Sequence, residues 1–131
     1  RNEMPDMCNF IHLWVKPHPF CPVDDFLGDL GLTDTLEIVE GDISAWLEKS
    51  THVFTANATS VALEALILGK QAASCVSLQA INLSPLIGLP EGNLIKSAHE
   101  LKSFFQMPVK KTLPDNTYFN FSKPLQTVLD L

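Results

Sequence analysis

Four polar residues near the middle of the chain could together bind a phosphorylated ligand; they are Asn57, Thr59, Ser60 and Glu64. Thr59 and Ser60 precede a predicted helix, whose first N–H groups and positive dipole end favour a phosphate. Glu64 follows Ser60 by four residues, so both should lie on one face of that helix. A carboxylate one turn below a bound phosphate could accept hydrogen bonds from ribose hydroxyls. The segment therefore predicts half of a nucleotide site.

A second polar cluster, at residues 16–19 (KPHP), follows an apolar stretch and includes Lys16 and His18. Pro19 disfavours the α conformation for the residue before it, so we expect His18 to lie in an extended loop. A loop at the end of a strand is a common ligand-binding position in α/β proteins. Lys16 and His18 are therefore candidate phosphate contacts.

Simpler interpretations of the same residues stay open. His18 could be an exposed loop residue without a ligand. Thr59 and Ser60 could act only as helix N-caps, because capping and phosphate binding use the same N–H groups. Glu64 could be a surface carboxylate, although its helix is apolar on nearly every side and leaves a charge little solvent unless it faces a cleft.

Short apolar strands alternate with helices along the chain, and these elements would position both clusters. Strands are predicted at 10–16, 35–40, 52–56 and 72–76, with a short edge strand at 94–95; helices are predicted at 22–30, 42–49, 59–68 and 97–105. Such alternation is typical of a parallel sheet whose ligands bind beyond the carboxyl ends of the strands. We predict an α/β, Rossmann-like open parallel sheet with helices on both faces. It forms one domain over 1–131, with a hinge and a C-terminal helix in 107–131.

Several residues carry structural expectations of their own. Gly69 should end the third helix, and Ser97 with Glu100 matches a capping box at the start of the fourth. Cys75 lies in an apolar run and should be a small core residue. We also expect three aromatic side chains in the core or an interface, and two histidines on the surface beside helices. The first group is His12, Trp14 and Trp46, and the second is His52 and His99.

Composition argues against several classes of protein. The chain has 131 residues and a net charge of −6, and its nine Lys and Arg are scattered, which argues against a nucleic-acid partner. Its three cysteines lack zinc-site spacing, so we expect reduced thiols and no metal site. No run approaches the roughly 20 apolar residues of a membrane helix. We expect a cytoplasmic protein, compatible with peripheral association at the inner face of the membrane.

The two clusters in this order resemble the carboxyl-terminal, donor-binding half of GT-B glycosyltransferases. The likeness covers about residues 10–105 and rests on the HP dipeptide of 16–19, on 56–61 (ANATSV) with Glu64, and on 68–70 (LGK). It is nearest to bacterial sialyltransferases and to capsule or surface-carbohydrate transferases that use CMP-activated sugars. Those families carry an HP motif and a Ser/Thr pair before a helix.

The resemblance implies a role for each matching residue. His18 would be catalytic, stabilising charge on the departing CMP, and Thr59 and Ser60 would hold the donor phosphate. Glu64 would bind ribose or a nearby donor hydroxyl. No further cofactor is implied beyond the nucleotide-sugar donor, and the acceptor would be a glycan hydroxyl on a surface polysaccharide.

Two departures from that family limit the expected activity. The acidic motif that supplies the base lies in the other half of those enzymes, and no convincing copy occurs here. The chain opens on Arg1, so we expect a piece of a longer protein, inactive without its amino-terminal half. Two other hypotheses stay open: a non-catalytic α/β interaction module, and a nucleotide-sugar epimerase of the same two-half architecture.

Overall fold

A computed structural model describes residues 11–20, 23, 27–29, 36–77 and 79–109. The chain divides into two compact units, Arg1–Trp46 and Leu47–Leu131. Each unit contains one small parallel sheet. Predictions for Cys8, Cys21 and 110–131, including the C-terminal helix, lie outside the described residues, and the single domain stays a prediction.

The first unit contains two short strands. Strand β1 (Trp14–Val15) pairs in parallel with β2 (Glu37–Ile38), which places Trp14 opposite Glu37. Residues 27–29 are helical, and the Leu27 N–H donates to the Val23 carbonyl oxygen at 2.8 Å. The predicted helix at 22–30 is thus supported where it is described.

Helix α1 (Ile43–Lys49) begins beside Asp42, and the division between the two units falls within it, after Trp46. The Asp42 carboxylate accepts a hydrogen bond from the Ser44 N–H at 3.1 Å, as a residue preceding a helix often does. The helix buries Leu47, while Ile43 is only half-buried. The predicted helix is therefore present, with less of its apolar face covered than expected.

The second unit contains a three-stranded parallel sheet in the order β3-β4-β5. Its elements are β3 (His52–Thr55), α2 (Val61–Ile67), β4 (Gln71–Cys75), β5 (Gly92–Ile95) and α3 (Ala98–Phe105). The central strand β4 is buried from Gln71 to Ser74, and its small side chains let α2 approach the sheet closely. The strand predicted at 72–76 is therefore present and is the middle strand of this sheet.

Local sequence signals explain the limits of both helices in the second unit. After α2, Gly69 adopts a left-handed φ of 72°. The Lys70 N–H bonds to the Ala65 carbonyl and the Gly69 N–H to the Leu66 carbonyl, a Schellman ending. Before α3, the Ser97 hydroxyl accepts from the Glu100 N–H at 3.2 Å. The Gly69 signal and the Ser97 N-cap are confirmed, whereas the Glu100 carboxylate accepts from the Lys96 N–H at 2.7 Å and not from the Ser97 N–H that a capping box uses.

Helix α3 completes a small apolar core against the sheet. Ala73, Ile95 and Phe104 are buried together, and Leu101 and Phe105 pack against them. Gly92 starts β5 directly beside Leu86, because a Cβ built on Gly92 would lie 2.8 Å from both the Leu86 Cβ and its carbonyl oxygen. Only a glycine lets the two backbones approach this closely.

Side chains at the amino end of this sheet form hydrogen bonds with the residues that follow α3. The His52 Nε2 lies 2.9 Å from the Met107 carbonyl oxygen, and the Gln71 amide donates to the Pro108 carbonyl at 2.7 Å. The His52 ring also meets Phe104 edge-on at 5.3 Å. The prediction of a surface histidine beside a helix is therefore wrong: His52 opens a strand and holds a segment 55 residues away.

The described strands form two sheets, of two and three strands. The α/β class is confirmed, whereas one open sheet with helices on both faces stays a prediction. The predicted burial of Cys75 is wrong, because this last residue of β4 is exposed beyond the core. Among the described residues, no helix is long and apolar enough to cross a membrane.

The aromatic residues of the first unit are less buried than predicted. Trp14 and Trp46 are half-buried and pack on each other, with ring centroids 5.3 Å apart. The His12 side chain is 67% exposed and lies outside β1. His12 is therefore not a core residue, and the alternative of an interface histidine stays a prediction. A two-residue strand pair offers too little surface to cover three large rings.

Candidate functional site

The carboxyl ends of β3 and β4 are joined by two buried hydroxyl groups. The Thr55 Oγ1 lies 3.1 Å from the Ser74 Oγ and also donates to the Ala73 carbonyl oxygen at 3.3 Å. Both residues are almost fully buried. These bonds hold the ends of β3 and β4 together. Residues 56–60, here called the β3–α2 turn, follow the end of β3.

Ser60 and Glu64 form a hydrogen-bonded pair on the first turn of α2. The Ser60 hydroxyl donates to the Glu64 Oε1 at 3.2 Å, so the prediction that they share a face is confirmed. Ser60 occupies the N-cap position without a side-chain capping bond, and its hydroxyl instead reaches the carboxylate. Ser60 is exposed and Glu64 is half-buried. A ligand hydroxyl or phosphate could exchange with this bond without disturbing the helix.

Thr59 takes the capping role that Ser60 leaves open. Its Oγ1 accepts from the Val61 N–H at 3.3 Å, which satisfies one donor of the first helical turn. The Leu63 and Glu64 N–H groups bond to the Ser60 carbonyl oxygen. These three N–H groups already have partners within the chain, so a phosphate here would have to bind through other groups, the two hydroxyls among them.

Asn57 is engaged with a distant part of the chain. Its Nδ2 donates to the Ile81 carbonyl oxygen at 2.9 Å, and its Oδ1 accepts from the Leu83 N–H at 3.1 Å. These partners belong to residues 79–91, here called the 79–91 loop. These two bonds use one N–H and one lone pair of the amide, so the loop fixes the Asn57 side chain in position.

The other predicted site residues belong to the first unit. Lys16 directly follows β1 and is half-buried, whereas His18 is exposed. The His18 Nδ1 accepts from the Phe20 N–H at 3.2 Å, so a neutral ring carries its proton on Nε2 and offers it as a donor. The convergence of His18 with Ser60 and Glu64 in one crevice stays a prediction.

Sequence reasoning missed a second polar cluster in the first unit. One oxygen of Glu37, Oε2, lies 2.8 Å from the His12 Nε2 and accepts from the Trp14 indole N–H at 3.0 Å. The parallel register that sets Trp14 opposite Glu37 creates this cluster. The alternation of His12 and Trp14 was the available signal, but their partner lies more than 20 residues away.

Among the residues that the structure describes, no three His, Cys, Asp or Glu side chains group as a metal site would require. The polar groups that follow β3 include the Thr59 and Ser60 hydroxyls, the Asn57 amide and the Glu64 carboxylate. In comparisons with known proteins, the chain matches no protein-family model, no curated protein and no solved structure, so these comparisons identify no family.

Proposed function

We propose that this chain is the donor-binding part of a glycosyltransferase that uses a nucleotide-activated sugar, with CMP as the favoured nucleotide. The observation that supports it best is the hydrogen-bonded pair of Ser60 and Glu64, which follows the carboxyl end of a parallel strand. In open α/β sheets this edge is where ligands bind. The order of the HP dipeptide, the Ser/Thr pair and the carboxylate favours a nucleotide-sugar donor over other ligands.

Each residue has a defined part in this proposal. The Thr59 and Ser60 hydroxyls bind the donor phosphate, and Glu64 turns from Ser60 to the ribose hydroxyls. The His18 Nε2–H donates to the leaving phosphate, where negative charge grows as the bond to the sugar breaks. Lys16 adds positive charge near His18.

The remaining parts of the enzyme lie outside this chain. A second half-domain would carry the acceptor site and the base that removes the proton from the glycan hydroxyl. The fold in this proposal is a Rossmann-like open sheet, and the location is the cytoplasm at the inner face of the membrane. One wall of a two-walled cleft can neither align donor and acceptor nor exclude water, so the chain alone should not catalyse transfer.

Calorimetric titration of the 131-residue chain with CMP, UMP and GMP tests the proposal. We expect weak binding that is strongest for CMP, because half of the cleft is absent. Ser60→Ala should weaken CMP binding about two- to tenfold, the effect of one lost hydrogen bond. Undetectable binding of all three nucleotides would overturn the proposal in favour of an interaction module.

Matched variants separate the site from general effects on the chain. Glu64→Gln should weaken CMP binding, whereas Glu48→Gln makes the same charge change on the exposed surface of α1 and should not. His18→Ala should weaken CMP binding if the two clusters act on one ligand. An effect of Glu48→Gln equal to that of Glu64→Gln would show that net charge, and no defined site, controls binding.

A further inference from the structure

We draw no further inference here: the strongest candidate, the hydrogen-bonded cluster of His12, Trp14 and Glu37 beside the two-stranded sheet of the first unit, carries none because nothing in the part of the chain that the structure describes shows a ligand or partner that it would bind.

Discussion

Two pairs of polar side chains, one pair at each end of the β3-β4-β5 sheet, are bonded in different ways. At the amino end, His52 and Gln71 bond to backbone carbonyls of residues 107–108. At the carboxyl end, the exposed Ser60 hydroxyl bonds to the Glu64 carboxylate, so two side chains satisfy each other. A hydrogen bond to a backbone carbonyl holds two segments of the chain together. A hydrogen bond between an exposed hydroxyl and a carboxylate can be replaced by hydrogen bonds from each group to a ligand.

Gln71 and Ser60 also differ in burial. Gln71 is 5% exposed, so its amide has no alternative partner in water, whereas Ser60 can be solvated. A lost bond to a buried polar group costs its full desolvation, while a lost surface bond costs little. Substitutions at the amino end should therefore reduce stability, and substitutions at Ser60 and Glu64 should reduce binding.

The largest expected effect is the destabilisation caused by Gly92→Ala at the amino end of β5. The new Cβ would lie 2.8 Å from the Leu86 Cβ and carbonyl oxygen, neither of which is the free end of a flexible side chain. The free energy of unfolding should fall by about 3 kcal/mol, as in severe overpacking. Amide hydrogen exchange in β4 measures this. The strand β4 is a direct reporter because it pairs with β5.

Gly28→Ala provides the matched control for that substitution. Nothing lies within 4 Å of a Cβ built on Gly28, which is exposed in the helical segment 27–29. The free energy of unfolding should stay constant or rise slightly, because alanine favours the helix. If Gly92→Ala is equally well tolerated, the close approach of β5 and the 79–91 loop is not a constraint on stability.

Gln71→Leu should have the second largest effect. The substitution keeps an apolar stem but removes the donor to the Pro108 carbonyl, and we expect a loss of about 1–2 kcal/mol in the free energy of unfolding. Gln106→Leu makes the same change on an exposed residue and should stay within about 0.5 kcal/mol. Both are measured by amide exchange in β4. Equal effects of the two variants would show that the bond from Gln71 to Pro108 does not stabilise the amino end of the sheet.

Elements with local signals could be predicted from the sequence, whereas those defined by distant partners could not. The end of α2 follows from Gly69, and the start of α3 follows from Ser97 and Glu100, because each signal acts within one helical turn. The alternation of strands and helices likewise predicted the α/β class. The exposure of Cys75 depended on where the sheet ends, which an apolar run does not specify.

In the candidate site, too, only the local contacts could be predicted from the sequence. The pairing of Ser60 with Glu64 follows from their spacing of four residues. The bonds of Asn57 to Ile81 and Leu83 join residues 24 and 26 positions apart, and that of His52 spans 55. No local pattern specifies such partners, so residue type alone suggested a ligand contact for Asn57.

The smallest expected effect on stability is that of Ser97→Ala, which is compared here with Ser60→Ala at the same end of the sheet. Ser97 and Ser60 each precede a helix, but only Ser97 accepts a capping bond with its side chain. Ser97→Ala should lower the free energy of unfolding by about 1 kcal/mol, because the Glu100 N–H loses its partner. Ser97→Asp should restore most of this stability, since aspartate caps equally well.

The two serine substitutions should have the reverse effects on nucleotide binding. Ser97→Ala should leave CMP affinity unchanged, whereas Ser60→Ala should weaken it and change the unfolding free energy by less than about 0.5 kcal/mol. Amide exchange in α3 and calorimetry with CMP measure the two quantities in the same samples. If Ser60→Ala costs as much stability as Ser97→Ala and leaves CMP affinity intact, Ser60 is a structural residue. Polar side chains at both ends of the sheet would then contribute to stability.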